Sequence, residues 1–150
     1  MIYIYRILIN FILLISPVII LARLILKKED PKRFFEKFGF FSKKRKKGKV
    51  LWFHTVSVGE LLSVISLIDK LEKDKRISQI LVTTTTLTSA KLFQKFNFKK
   101  TIHQFFPIDN DLITKKFIEY WKPCLAIFVD SEIWPNMLTN LDKQSIKKFF

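Results

Sequence analysis

The fold is decided by the stretch Leu51-Trp-Phe-His-Thr-Val-Ser-Val-Gly-Glu-Leu-Leu62. A short apolar run, Val50–Phe53, predicts a buried strand that ends at a small-residue turn through Ser57 and Gly59. Apolar residues then recur at three- and four-residue spacing over Leu61–Leu71, which predicts a helix. A strand, a tight turn and a helix form the opening unit of a parallel α/β sheet, in which ligands bind where the strands end.

The same alternation continues along the rest of the chain. Strands are predicted at about 50–54, 79–84, 102–106 and 124–129, and helices at about 60–73, 88–96 and 111–121, with a further helix beginning near Trp134–Pro135. The last strand is the most continuously apolar, as expected for a central parallel strand. Four successive β-α units predict an α/β, Rossmann-like parallel sheet with helices on both faces.

Residue counts exclude several classes of protein. With 49% hydrophobic residues the chain is not disordered. Its three glycines leave no room for a G-x-G-x-x-G or P-loop signature, which argues against nicotinamide dehydrogenases and nucleotide triphosphatases. The single cysteine, Cys124, excludes an internal disulfide, and no spacing of histidine, cysteine and carboxylate residues suggests zinc. We therefore expect neither a cofactor nor a metal.

The first 28 residues are predicted to be a membrane anchor. An apolar run over Ile7–Ala22 is bracketed by Arg6 and Arg23, and these arginines can extend a short run by snorkelling to the interface. A signal peptide and a buried helix are the alternatives. The anchor is favoured because basic residues stand where a small-x-small cleavage site would be.

Residues 29–49 are predicted to form a basic amphipathic segment beside the membrane. The formal charge of the whole chain is +14, although a codon bias toward A and T is a competing source of its many lysines. Twelve basic and three acidic residues between Arg23 and Lys49 place a net +9 directly after the anchor. Such flanking charge stays cytoplasmic and is attracted to anionic lipid. Lys43–Lys49 also resembles a nucleic-acid patch, but the anchor already explains the charge, so no nucleic-acid partner is predicted.

Small polar residues follow each predicted strand, at about 55–60, 83–89, 107–111 and 129–136. In a doubly wound sheet these turns gather along one edge, so hydroxyl and carboxylate groups line one cleft. Such a cleft suits a polyhydroxylated ligand, and Glu60 is placed to act as general base toward a sugar hydroxyl.

Each of these residues also has a purely structural interpretation. Ser57 and Glu60 have the spacing of a capping box, and spacing alone leaves capping and catalysis equally open. Thr88 has the position of a helix N-cap, and Glu132 favours the helix that follows it. His54 and His103 each lie in an apolar strand pattern, which favours histidines of the core or of a strand end.

Four ordered motifs carry a resemblance to a known family. They are Trp52-Phe-His-Thr-Val-Ser-Val-Gly-Glu60, Val82-Thr-Thr-Thr-Thr-Leu-Thr-Ser89, His103-Gln-Phe-Phe-Pro-Ile-Asp109 and Asp130-Ser-Glu-Ile-Trp-Pro-Asn136, and Pro31-Lys-Arg-Phe-Phe-Glu-Lys-Phe-Gly39 precedes them. Together they resemble the Kdo transferases, which move 3-deoxy-D-manno-octulosonic acid (Kdo) from its CMP-activated form onto a lipid A precursor.

The resemblance implies a two-domain GT-B glycosyltransferase that works at the cytoplasmic face of the inner membrane, beside anionic lipid. Its N-terminal domain would receive the lipid acceptor. Glu60 would be the catalytic base, and Glu132 would stabilise the transition state or position the acceptor. The residues expected to shape the acceptor cleft are Ser57, Gly59, Thr84, Thr85, Thr86 and Ser89.

The main departure from the family is length. The family continues past the equivalent of Phe150 into a second domain that holds CMP-Kdo, and residues 142–150 do not resemble the family's continuation. We therefore expect residues 50–150 to be an incomplete acceptor-binding domain, inactive alone. The alternative function is a catalytically inactive, membrane-anchored module that binds acidic lipid.

Overall fold

A computed structural model describes residues 2–129 and 133–150. Its helices are α1 (Ile2–Ile25), a 3₁₀ helix (Phe34–Phe38), α2 (Val58–Glu72), α3 (Leu87–Phe93), α4 (Asp111–Trp121) and α5 (Pro135–Lys143). Its strands are β1 (Val50–Thr55), β2 (Gln79–Thr84), β3 (Thr101–Phe105), β4 (Leu125–Phe128) and β5 (Lys147–Phe149).

The five strands form one parallel sheet in the order β3-β2-β1-β4-β5. β1 lies at the centre, paired with β2 through Leu51 and Ile80 and with β4 through Leu51 and Leu125. The strand order reverses at β1, which is the switch point where doubly wound sheets bind ligands. The predicted α/β class and its four strands are confirmed, whereas β5 was not predicted.

Both faces of the sheet are covered by helices, as predicted. Side chains of β1 alternate, so the fully buried Trp52 packs toward α4 and α5 while the fully buried Phe53 packs toward α2 and α3. Burial of each such aromatic side chain contributes about 2–3 kcal/mol. The central strand is therefore held from both sides, and the loops at its carboxyl end start from a rigid base.

Capping side chains determine where the helices begin at the carboxyl edge of the sheet. Ser57 caps α2, Thr86 caps α3 through the Ser89 amide, and Asn110 caps α4 through the Leu112 and Ile113 amides. The expectation that Thr88 is the cap of its helix is wrong, because α3 already begins at Leu87. Each cap satisfies backbone N–H groups that the helix leaves free.

Asp109 fixes the start of α5, where the Trp134 side chain makes no capping bond. Its carboxylate accepts hydrogen bonds from the Asn136 amide at 3.0 Å and the Met137 amide at 2.7 Å. Burial raises the pKa of the Asp109 carboxyl, against the lowering effect of hydrogen bonds from Tyr5 and these two amides. The turn after β3 is thereby tied to the turn after β4.

The segment between α1 and β1 packs on the domain through a buried acid. Glu36 is fully buried, pairs with Arg33 at 2.8 Å and accepts a hydrogen bond from the Phe105 amide at 2.7 Å. Nearby, Phe41 stacks on Tyr120 with ring centroids 3.8 Å apart. Contact of this segment with a membrane stays a prediction.

Among the described residues, α1 is the helix that is long and apolar enough to cross a membrane. Only 11% of its most apolar window is buried, so it is not a core helix. Length and composition alone do not separate an anchor from a signal sequence.

Candidate functional site

The carboxyl ends of the strands bring the first three polar turns together. Thr55 pairs with Thr84 at the end of β1, and Thr84 pairs with Phe105 at the end of β2. Because the strands are parallel, the residues that follow them emerge at one edge. The fourth turn contains Glu132, which lies outside the described residues, so its catalytic role stays a prediction.

Glu60 occupies the first turn of α2 and forms a capping box with Ser57. The Ser57 hydroxyl accepts a hydrogen bond from the Glu60 amide at 3.2 Å, and Glu60 Oε1 accepts one from the Ser57 amide at 3.1 Å. Glu60 Oε2 accepts a further hydrogen bond from the Val56 amide at 2.7 Å. The carboxylate is therefore held in one orientation.

This geometry suits an anionic base as well as a cap. The positive end of α2 stabilises a carboxylate in its first turn. Glu60 is only half-buried, and no lysine or arginine of the described chain forms an ion pair with it. Its free lone pairs can accept a proton from a bound hydroxyl group.

The threonine-rich turn contains two kinds of residue. Thr84 and Ser89 are fully buried: Thr84 Oγ1 lies 2.9 Å from His103 Nε2, and the Ser89 hydroxyl accepts a hydrogen bond from Thr86 at 2.8 Å. Thr85 and Thr86 are half-buried and line two separate cavities. Thr84, Ser89 and the cap residue Thr86 hold the turn in shape, and Thr85 and Thr86 also line space that a ligand can enter.

Gly59, expected to shape the acceptor cleft, has open space around its Cα. A methyl group added at Gly59 would approach only the Ser57 hydroxyl, at 3.9 Å. Internal packing therefore does not require glycine at this position.

The larger cavity, here called the basic cavity, has a volume of about 540 Å³. It is lined by five cationic side chains and no acidic ones: Arg23, Lys27, Lys28, Lys91 and Lys95, together with Val58, Thr86, Leu87, Thr88 and Leu92. Val58 is the first residue of α2 and lies two residues before Glu60. A cavity lined by cations has the electrostatic potential to attract phosphate or carboxylate groups.

The end of α1 presents its lysines to the basic cavity through a left-handed cap. Lys27 has φ 55°, the Lys28 amide donates to the Arg23 carbonyl at 2.8 Å, and the Lys27 amide donates to the Leu24 carbonyl at 3.0 Å. These two bonds are those of a Schellman motif, which usually has glycine at the left-handed position. A lysine there adds charge at the cost of backbone strain.

The smaller cavity, here called the aromatic cavity, has a volume of about 210 Å³. It is lined by Ile9, Lys37, Thr85, Phe106, Pro107, Ile108, Asp109 and Trp134. Rings of Phe106 and Trp134 lie 5.1 Å apart between centroids. Flat apolar walls beside a hydroxyl and a lysine suit a sugar ring or an acyl chain.

Both histidines are buried strand residues, as expected. Burial lowers the pKa of His54 to about 3, and burial together with Arg33 and Lys43 lowers the pKa of His103 to about 3. His103 is bonded at both ring nitrogens, whereas His54 Nε2 has no hydrogen-bond partner among the described residues. Neither histidine belongs to a group that could hold a metal ion in the described part of the chain.

Comparison with known proteins gives one consistent result. A family model described as 3-deoxy-D-manno-octulosonic-acid transferase (kdotransferase) matches residues 32–150. The 3-deoxy-D-manno-octulosonic acid transferase of Rickettsia bellii is 39% identical over 136 residues, which are 90% of this chain and 32% of that protein. The Haemophilus influenzae enzyme of the same name is 26% identical over 141 residues, 91% of this chain and 33% of that protein. A probable mitochondrial 3-deoxy-D-manno-octulosonic acid transferase of Arabidopsis thaliana is 36% identical over 106 residues, 71% of this chain and 24% of that protein.

The chain thus spans about a third of the length of the two bacterial relatives. The family match runs to residue 150, so the expectation that residues 142–150 depart from the family is wrong. They form the end of α5 and the three-residue edge strand β5, whose two lysines give no apolar pattern to recognise.

Proposed function

The chain belongs to the 3-deoxy-D-manno-octulosonic acid transferase family, and from this premise we propose that it forms the acceptor-binding half of a membrane-bound enzyme that transfers Kdo from CMP-Kdo to a lipid A precursor. The observation that carries the proposal is that Val58, two residues before Glu60 at the start of α2, lines the basic cavity. A base for a sugar hydroxyl and a binding place for phosphate then lie at the same edge of the sheet.

The basic cavity is proposed to receive a phosphate of the acceptor. Its five cations match an acceptor that is both phosphorylated and rich in hydroxyl groups. Thr86 belongs to the cavity wall and Val58 starts the helix that carries Glu60, so a phosphate bound there brings its sugar next to the carboxylate. Thr85 and the aromatic cavity are proposed to contact the sugar or acyl part.

In the proposed reaction Glu60 takes the proton of the attacking acceptor hydroxyl. The hydroxyl oxygen bonds to the anomeric carbon of Kdo while the bond from that carbon to the CMP phosphate oxygen breaks, and CMP leaves with the bonding electrons. General base catalysis of this kind contributes roughly 10²- to 10⁴-fold in rate. Glu132 is proposed to stabilise the transition state or to position the acceptor.

The donor is proposed to bind a second domain of a GT-B enzyme, beyond these 150 residues. The cytoplasmic face of the inner membrane is the proposed location, since the basic residues after α1 favour that side and anionic lipid. Because the acceptor is a lipid, attachment to the membrane keeps the acceptor half close to its substrate.

A chimera tests the proposal. In the chimera, the residues of this chain replace the segment of the Rickettsia bellii relative that they match. Transfer of Kdo from CMP-Kdo to a lipid A precursor is then assayed. We expect transfer by the chimera, a loss of at least 100-fold in the Glu60→Gln chimera, and unchanged acceptor binding in both. A folded chimera that binds acceptor but gives no transfer supports the inactive lipid-binding module instead. Full activity in Glu60→Gln would restrict Glu60 to capping.

A further inference from the structure

The helix α1 packs along the domain on one stripe of its surface. The residues of this stripe are half-buried or buried and recur every three or four positions: Ile2, Tyr5, Arg6, Ile9, Leu13, Ser16, Ile20, Arg23 and Leu24. The remaining surface is apolar and exposed, as shown by Ile4, Phe11, Val18 and Ile25, which are 61–73% exposed and lie seven residues apart. One face of α1 therefore packs against the domain, and the other face contacts no protein among the described residues.

Polar contacts fix the N-terminal half of α1 to the domain. The Tyr5 hydroxyl donates to Asp109 at 2.7 Å, and Arg6 pairs with Asp111 at 2.7 Å. One turn later, Asn10 accepts a hydrogen bond from the Asn110 side chain at 2.7 Å. Each of these three polar side chains of α1 therefore forms a hydrogen bond with a residue that follows β3.

The C-terminal half of α1 is fixed as well. Ser16 and Ile20 are buried, and Arg23 pairs with the buried Glu29 at 2.8 Å. Arg23 also lines the basic cavity, together with residues of α2 and α3. The helix is consequently held to the domain near both of its ends instead of projecting from it.

This packing conflicts with a transmembrane orientation. Contacts from Tyr5 to Arg23 cover about 27 Å of helix, close to the roughly 30 Å thickness of the hydrocarbon core. If α1 crossed the bilayer in this arrangement, the polar turns at 84–89 and 107–111 would be carried into the hydrocarbon. Irregular polar backbone exposed to lipid does not occur at that depth.

We propose that α1 lies in the plane of the bilayer interface, with its exposed apolar face in the acyl region and its polar stripe on the domain, so that both ends stay on the same side of the membrane. The occupant of the exposed face is an anionic lipid bilayer. Charge supports an anionic bilayer, since Lys27 and Lys28, just after the helix, line the basic cavity together with Lys91 and Lys95. Amphipathic helices with flanking basic residues bind interfaces in this way. This inference does not depend on the transferase reaction.

Spin-label depth measurements test the orientation. Cys124, which is exposed and donates through Sγ to the Val50 carbonyl, is first replaced by serine. Four variants then carry a single cysteine each, at Ile4, Phe11, Val18 or Ile25. Each cysteine is spin-labelled, and each variant is bound to vesicles of phosphatidylcholine and phosphatidylglycerol. A label at Lys73, whose side chain is 76% exposed at the end of α2, provides the aqueous reference.

The two orientations give different depth profiles. In the plane of the interface, the four labels lie at one similar shallow depth, because they share one helix face. A helix along the membrane normal places successive labels about 10 Å apart in depth, with the middle two deepest. That second profile, or a failure of the folded chain to bind the vesicles, would overturn the proposal.

Discussion

Ser57 and Glu60 hold each other across the first turn of α2, each accepting a hydrogen bond from the other's backbone amide at 3.2 Å and 3.1 Å. The same carboxylate also accepts the Val56 amide at 2.7 Å. A residue proposed as a base is therefore also a structural cap, and the two roles are not alternatives. They differ in what they need: capping uses both carboxylate oxygens as hydrogen-bond acceptors, whereas catalysis needs the charge, so Glu60→Gln loses the charge and one of the two capping bonds.

The first prediction separates these two roles. Ser57→Ala removes the capping hydroxyl and keeps the carboxylate, so unfolding free energy should fall by about 1 kcal/mol with little loss of transfer by the folded chimera. Glu60→Gln keeps an acceptor oxygen but removes the base, so transfer should fall roughly 10²- to 10⁴-fold. Urea unfolding and the chimera assay measure both quantities. Equal losses of transfer in the two variants would contradict a catalytic role for Glu60.

The second prediction concerns the lysine at the end of α1. Lys27 and Lys122 both have positive φ, at 55° and 41°, so glycine at either position should stabilise the fold by about 1 kcal/mol. Only Lys27 lines the basic cavity. Lys27→Gly should therefore weaken binding to vesicles of phosphatidic acid by roughly fivefold, since each basic residue near an anionic surface contributes about 1 kcal/mol.

Lys122→Gly is the matched control for this change, because it removes the same charge and the same strain from an exposed site at the end of α4. It should bind the vesicles like the unmodified chain. Equal weakening in both variants would mean that net charge, and not the basic cavity, determines binding. Inorganic phosphate that competes with the vesicles would indicate that the phosphate group alone is recognised.

The order of strands and helices was predictable because each is encoded locally. Apolar runs mark β1 to β4, and Ser57-x-x-Glu60 marks the start of α2 within two residues. The strand β5 has only three residues, two of them lysines, and its pairing with β4 comes from the sheet and not from its own pattern. That the polar turns lie together at one edge of the sheet was predictable from the parallel direction of the strands alone.

The candidate site was less predictable, because its cavities depend on contacts distant in sequence. Lys91 and Lys95 of α3 line one cavity with Lys27, which is more than 60 residues away in sequence, and a lysine-rich composition conceals them. Their spacing of four residues, which places both on one helix face, is the local signal that could have indicated them. Thr84 and Ser89 were expected to shape the acceptor cleft. Both side chains are fully buried, with hydroxyls bonded to His103 and Thr86, and their part in the cleft stays a prediction.

The third prediction addresses the buried acid of the segment before β1. Glu36→Gln leaves Arg33 without its anionic partner, so unfolding free energy should fall by about 3–5 kcal/mol. Asp69→Asn is the control: it breaks the exposed pair with Lys73, where both side chains are more than half exposed, and should cost less than about 1 kcal/mol. Urea unfolding measures both variants. Similar costs would show that Glu36 is not paired in the folded chain.

The last prediction follows from the two buried histidines. Both have a pKa of about 3 in the folded chain, below the ordinary value of 6.5, so the unfolded chain binds more protons between these values. Stability is therefore fully present above pH 6.5 and is lost as the pH falls toward 3. Between pH 6.5 and 5.0, where most carboxylates stay ionised, each histidine should lower the unfolding free energy by about 1.5 kcal/mol.

Glutamine at His103 tests this dependence, since its amide can accept from Arg33 and donate to Thr84 as the imidazole does, yet does not titrate. Over the same pH interval, His103→Gln should lose about half as much stability as the unmodified chain, because only His54 remains to take up a proton. The measurement is urea unfolding at pH 6.5, 6.0, 5.5 and 5.0, followed by tryptophan fluorescence. An identical pH slope in the two proteins would show that His103 titrates in the folded state as it does in the unfolded state, and that the ring is not buried against Arg33.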